Sequence, residues 1–379
     1  MKNKLLMSTA LVGSMVAADF AMAQTTVSGN LALNYRAQEK KTATTSNLNS
    51  TRGFGRETQV NIQNKGKLNN GMDYAAGFSL EFDGQDRDTR AAGLQAMASN
   101  FEPNSISNEN IYINFISGNT TLHVGVDHIQ NITTDVVPMV LPLMDNVAAG
   151  FTAAATNTVG ANPKEAMGFG LIQAIPGAGL TASVLYVPVN GDFGNGDHNP
   201  PSDCQTASSS AGTVSVNTRD TGCRNSAYEV GVVGRDTFGV KGLGLRAFTN
   251  KEKAHTTGIP DLRGNHYGIS YTTGAIGVGI ERYFQNRVGT TSAQDLDQKS
   301  IQLGATYAAT KDISLGLVHA RTDLATAASL KEKITSAQVG YNLGPVGVAF
   351  AISKIDNIGA TTATGVDGKE AQIRLTTAF

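Results

Sequence analysis

The chain has no tryptophan, only 10 prolines and two cysteines in 379 residues, and no surplus of either charge. Thirty Lys and Arg stand against 31 Asp and Glu, a formal net charge of −1, which gives no reason to expect nucleic acid as a partner. After residue 23 the chain lacks the run of about 18 apolar residues that a spanning helix needs. The nearest stretch, 136–163, is broken by Pro138, Pro142, Asp145, Asn146 and Gly150. A helical membrane protein is thereby excluded. A transmembrane barrel is not, because its strands alternate lipid-facing and lumen-facing residues and keep mean hydropathy near that of soluble proteins, here −0.14. Catalytic signatures are missing too: there is no G-x-S-x-G elbow and no H-E-x-x-H. His123 and Asp127 share a face and invite comparison with barrel hydrolases, but the 6 histidines are otherwise scattered.

What is present begins at the N-terminus. Lys2 and Lys4 precede an apolar run over 5–18, and Ala21-Met22-Ala23 supplies a small-residue cleavage site. This reads as a secretory signal over 1–23, removed before Gln24, which leaves 24–379 as one domain. Cys204 and Cys223 then lie in an exported protein and close a short loop. A disulfide there contributes about 3 kcal/mol through loop-closure entropy. The other reading, a metal or redox site, lacks any C-x-x-C spacing. No cofactor or metal is expected.

Period-2 alternation runs through the rest. In "TTVSGNLALNYRAQ", Val27, Leu31, Leu33 and Tyr35 fall on one face and Ser28, Asn30, Asn34 and Arg36 on the other. In "GMDYAAGFSLEFDG", Tyr74, Phe78, Leu80 and Phe82 oppose Asp73, Ser79, Glu81 and Asp83. Strands are expected at 25–38, 54–64, 71–83, 108–117, 119–127, 165–175, 180–188, 226–236, 242–250, 263–273, 275–286, 299–309, 313–322, 332–342, 346–355 and 371–379. Most are about ten residues long, enough to cross a bilayer as a tilted strand. Seven tight turns alternate with eight long polar loops between these sixteen segments.

An even strand count with short connections at one rim and long ones at the other predicts an all-β, antiparallel transmembrane β-barrel of 16 strands. In hydrocarbon every backbone N–H and C=O must be paired, so the sheet has to close. A closing strand must be complete to its last residue, which accounts for a chain that stops on "AQIRLTTAF", with Phe379 on the apolar face. By parity Arg36, Arg246, His266 and Arg374 face the lumen, as do Asp73, Glu81, Glu229 and Glu281. Asp135 and Asp145 belong to the longest apolar connection, 128–164. A transverse field between loop carboxylates and wall arginines is the expected basis of selectivity. Arg282, His319 and Lys354 break the pattern: they share a face with apolar residues, which calls for a rim position, a subunit contact or a bulge.

The signal segment, the opening strand, the sixteen-strand rhythm, the "NENIYINFISGNTTLHVGVDH" hairpin before a long loop and the terminal "IRLTTAF" resemble the general bacterial porins of Gram-negative outer membranes. The resemblance covers essentially the whole mature chain and lies in architecture. It implies a homotrimer, a water-filled pore per subunit, a third loop folded inward, and a location in the bacterial outer membrane among its lipid and lipopolysaccharide. It also implies that Phe379 is read by the barrel insertion machinery. The expected function is passive diffusion of small hydrophilic solutes and ions. A substrate-specific channel, a barrel enzyme and an adhesin are the alternatives. The third loop departs from the family pattern in lacking a Pro-Glu-Phe-Gly-like acidic tip.

Overall fold

A computed structural model describes residues 23–41, 48–85, 107–125, 139, 143–144, 168–190, 224–253, 261–286, 298–324, 331–358 and 366–379. The sequence segments 1–22 and 191–223, with the signal and both cysteines, lie outside the described residues, as do Asp135 and Asp145. The chain forms β1 (Gln24–Lys41), β2 (Leu48–Lys67), β3 (Asp73–Gln85), β4 (Ser107–Ser117), β5 (Thr120–Gly125), β6 (Gly168–Ile175), β7 (Leu180–Asn190) and β8 (Arg224–Arg235). It continues through β9 (Leu243–Glu252), β10 (Leu262–Thr273), β11 (Ile276–Asn286), β12 (Gln298–Ala308), β13 (Ile313–Leu324), β14 (Lys331–Asn342), β15 (Val346–Asp356) and β16 (Asp367–Ala378). Every strand pairs antiparallel with its sequence neighbours, and β1 with β16, so one closed sheet of sixteen strands leaves no edge.

The seam is made by residues at the two ends of the sheet. Asn30 faces Ala378 and Arg36 faces Gln372. Gly29 and Phe379 then exchange both backbone hydrogen bonds, at 2.8 and 3.0 Å. The Phe379 ring covers Gly29, where an added Cβ would stand 2.5 Å from the ring. A residue without a side chain therefore lets the last aromatic lie flat on the outer wall, an arrangement that also shields the glycine backbone. Tyr271, Tyr307 and Tyr341 join Phe379 as outward aromatics near the short turns, each between 42% and 48% exposed. Gly118 and Gly274, both at φ 57°, supply the left-handed residue that their tight turns require.

The burial pattern is inverted relative to a water-soluble sandwich. Leu171, Leu317 and Ile352 are at least 50% exposed, while Glu229, Glu281, Glu332 and His266 are at most 1% exposed. Buried apolar residues form small inward clusters, such as Leu185 with Val187 and Ala227, rather than one core. Hydrocarbon outside and polar groups inside is the arrangement a membrane barrel needs.

Two differences from the sequence expectation are informative. β2 runs from 48 to 67 rather than 54 to 64, and β16 starts at 367 rather than 371. Alternation of apolar with polar residues marks only the part inside hydrocarbon, whereas backbone pairing continues into the polar rim. In β4 the register with β3 shifts between Gly77 and Ser79, beside Asn110 at φ 53°. Local pattern carries no sign of that bulge. By contrast, Arg282, His319 and Lys354 sit in strands of unbroken register, so no bulge turns them and they face outward.

Candidate pore and its constriction

Two arcs of the lumen wall are built differently. On β9, β10, β11, β13 and β14 the inward positions include Gly244, Gly268, Gly279, Gly316 and Gly340, and Met139 and Leu143 lie against them. A Cβ at Gly268 would stand 2.6 Å from Met139 Cγ, and one at Gly316 would stand 3.0 Å from Leu143 Cγ. A Cβ at Gly279 would collide with the Met139 carbonyl oxygen. Met139 and Met144 are 0% and 2% exposed, and Met144 packs on Ala351 of β15. The glycines make a trough, and an apolar, unbranched methionine fills it.

Two polar side chains hold the segment in that trough. The Met139 N–H donates to the Glu281 carboxylate. The Leu143 and Met144 N–H groups donate to Gln338 Oε1 at 2.7 and 3.1 Å, so one amide satisfies two consecutive backbone donors. Behind Glu281, Tyr283 donates its hydroxyl to the same carboxylate, and Arg246 Nη1 and His266 Nε2 stand 3.8 and 3.5 Å from it. The His266 ring stacks on Tyr283 at 3.8 Å and meets the edge of Phe248 at 4.7 Å. A carboxylate 1% exposed persists only where cations and donors replace its water.

The other arc comprises β16, β1, β2 and β3. Arg36 Nε lies 3.5 Å from Glu370, which also accepts from Gln38 Nε2 at 2.8 Å. Arg374 lies 3.5 Å from Glu57. Most of these groups are partly open: the Arg36, Arg374 and Glu57 side chains are 27%, 17% and 40% exposed, whereas that of Glu370 is 1% exposed. Glu81 is half-buried on the same arc, opposite Gln59 in the register. Further round, His123 lies 2.5 Å from Asn114 through Nδ1 and stacks near Tyr112.

The site residues expected from parity thus divide. Arg36, Glu81 and Arg374 share the partly open arc. Arg246 and His266 lie on the gripping arc beside Glu281 and are 3% and 0% exposed. Sequence pattern does not single out Glu57, Glu370 or Gln338, and it places Glu281 inward without a role. The available signal is the row of glycines at inward positions of successive strands, which becomes visible only once the register is known. Among the described residues no group of His, Cys, Asp and Glu could hold a metal ion.

A profile of the Gram-negative porin family matches residues 8–357. No curated protein sequence matches the chain. The fold is shared with an anion-selective porin from Comamonas acidovorans, at TM-score 0.61 and 16% identity over 94% of this chain and 100% of that one. It is shared with a loop-deletion form of OmpT from Vibrio cholerae, at 0.60 and 12% over 94% and 99%. Salmonella typhi OmpF in complex with daunomycin follows at 0.59 and 11% over 93% and 98%.

Proposed function

We propose, since this chain belongs to the Gram-negative porin family, that its bore discriminates solutes by charge along the partly open arc. The barrel is an outer-membrane channel through which small hydrophilic solutes and ions diffuse passively, rather than an enzyme. The observation that carries this is the closed sixteen-strand wall with exposed aliphatics outside and ionised groups inside. Met139, Leu143 and Met144 narrow the lumen from the β9–β15 side, so ions pass beside Arg36, Arg374, Glu57 and Glu81. The guanidinium groups form one pole of a transverse field. Asp135 and Asp145 of the 128–164 loop form the other. Such a field orients dipolar solutes and slows apolar ones. Arg246 and His266 act here as supports for the loop anchor Glu281, and shape the bore through it.

Planar-bilayer recording tests this reading. Reversal potentials in a salt gradient are expected to shift toward cation preference in Arg36→Ala and Arg374→Ala; identical selectivity in both variants and the wild type removes the field. The working form is proposed to be a homotrimer, supported by a trimer form of Vibrio cholerae OmpT at TM-score 0.56. Heat-modifiable gel shifts and cross-linking read that state. Outer-membrane lipid, lipopolysaccharide and the insertion machinery that engages Phe379 complete the proposed partners, and Cys204 with Cys223 is the proposed disulfide.

A further inference from the structure

A polar row crosses from the gripping arc to the open arc on four neighbouring strands, β14, β15, β16 and β1. It starts at Gln338, whose Oε1 accepts from the Leu143 and Met144 N–H groups. The nitrogen of the same amide donates to Ser336 Oγ at 3.4 Å and to the Met144 carbonyl at 3.5 Å. Ser336 and Ser353 stand directly opposite each other on β14 and β15, with their hydroxyl oxygens 3.1 Å apart. Ser353 in turn stands opposite Glu370 of β16, and such partners hold their Cβ atoms about 5 Å apart. Glu370 is opposite Gln38 of β1, accepts from its Nε2 at 2.8 Å, and lies 3.5 Å from Arg36 Nε.

The row is dry along most of its length. Gln338, Ser336, Ser353 and Glu370 are between 0% and 6% exposed, whereas the Arg36 side chain at its far end is 27% exposed. Apolar residues bound it above and below. Towards the long loops, the next positions on the same face of β14 and β15 are Ile334 and Ile355, which cluster with Ala320 and Ile358. Towards the short turns, Ala351 of β15 packs against Met144. Between such layers water does not compete for the hydrogen bonds, so each member of the row fixes the geometry of the next. The two serines are informative. Alanine would fill nearly the same space with no polar atom to satisfy, but a hydroxyl both donates and accepts and so carries a polar contact from strand to strand.

We infer that this row couples the seat of Leu143 and Met144 to the position of Arg36, with Ser336 and Ser353 as positioning residues that lie off the ion path. The inference rests on the reading of Arg36 as one pole of the field and deepens it: selectivity depends on how the constriction is seated as well as on the charge beside it. When Gln338 loses the two backbone N–H groups, its amide is free to turn. Ser336 then loses a donor, and Glu370 and Arg36 lose the fixed wall behind them. The charge of Arg36 stays in the bore while its place relative to the narrowest section changes.

Double-mutant cycles on the full folded barrel test the coupling, because non-additivity separates a shared network from two local effects. The first cycle is read as the reversal potential in a potassium chloride gradient. With the row intact, Arg36→Ala is expected to shift the potential about half as far in a Gln338→Ala background as it does alone. In S336A/S353A the shift is expected to be the same with and without Gln338→Ala. The second cycle is read as urea unfolding, with Glu370→Gln in place of Arg36→Ala, and depends on no field. With the row intact, Glu370→Gln and Gln338→Ala together are expected to cost less than the sum of their separate costs; in S336A/S353A they are expected to add. S300A/T322V removes another buried hydroxyl pair, 3.0 Å apart on β12 and β13 and off the row, and is expected to leave both cycles as in the wild type. An Arg36→Ala shift that Gln338→Ala leaves unchanged in the intact row overturns the coupling, and so do additive unfolding costs there. Non-additivity that survives in S336A/S353A, or that S300A/T322V also abolishes, overturns the row as its carrier. Reversal potentials that Arg36→Ala does not move sink the field reading, and the unfolding cycle then decides the row by itself.

Discussion

The two arcs of the lumen wall obey the same alternation and do opposite things with it. On β9–β15 five inward positions are the trough glycines and the inward Arg246, His266 and Glu281 are buried, so the wall grips a segment of its own chain. On β16 and β1–β3 the inward positions keep long side chains, and Arg36, Arg374, Glu57 and Glu81 stay partly open even where Glu370 is buried, so the wall faces water. The difference teaches that a charged lumen residue is not by itself a pore-lining one. Arg246 and Arg374 are indistinguishable by parity, yet one is 3% exposed and braces Glu281 while the other reaches Glu57 in the open lumen.

Substitutions can break this contrast, the severest on the gripping arc. Glu281→Ala removes the acceptor of the Met139 N–H and takes from Arg246 and His266 the carboxylate they face among the described residues. A loss of about 3–5 kcal/mol in urea unfolding of the refolded barrel is expected, because an unmatched buried charge remains. Gly279→Val forces a branched side chain into the Met139 carbonyl. It is expected to cost about 1–3 kcal/mol and to raise single-channel conductance as the segment leaves the wall. Gln338→Ala strands two backbone donors, with an expected loss of about 1–3 kcal/mol and noisier open-channel current. On the open arc the same measurements should move less. Arg36→Ala is expected to cost about 1–3 kcal/mol, since the Glu370 side chain is 1% exposed. Arg374→Ala is expected to change stability by less than about 1 kcal/mol, since Glu57 is 40% exposed and the pair is solvent-screened. Their signature is the reversal potential, which the three gripping-arc variants should shift less.

Much of the wall is legible in the order of residues. The sixteen segments and their antiparallel order follow from period-2 alternation, which is a property of each strand alone. Strand ends are less legible, because β2 extends to residue 48 through polar residues that alternation does not mark. Least legible is the grip. Gly244, Gly268 and Gly279 are far apart in sequence and look like ordinary weak points in strands until register sets them side by side. The partners Glu281 and Gln338 lie 142 and 195 positions from the loop donors Met139 and Leu143. No window of sequence contains such a pair.

The amino-acid order alone determined the inside and outside of this protein, since each residue's face depends only on its neighbours two positions away and on the oil or water it must meet. Which lumen groups stay wet, and which clamp the narrowing segment, was decided only when the sheet closed. Closure sets β9 to β14 side by side and aligns glycines from five of them into a trough. Only where side chains are missing can a backbone approach the wall closely enough to be hydrogen-bonded by it.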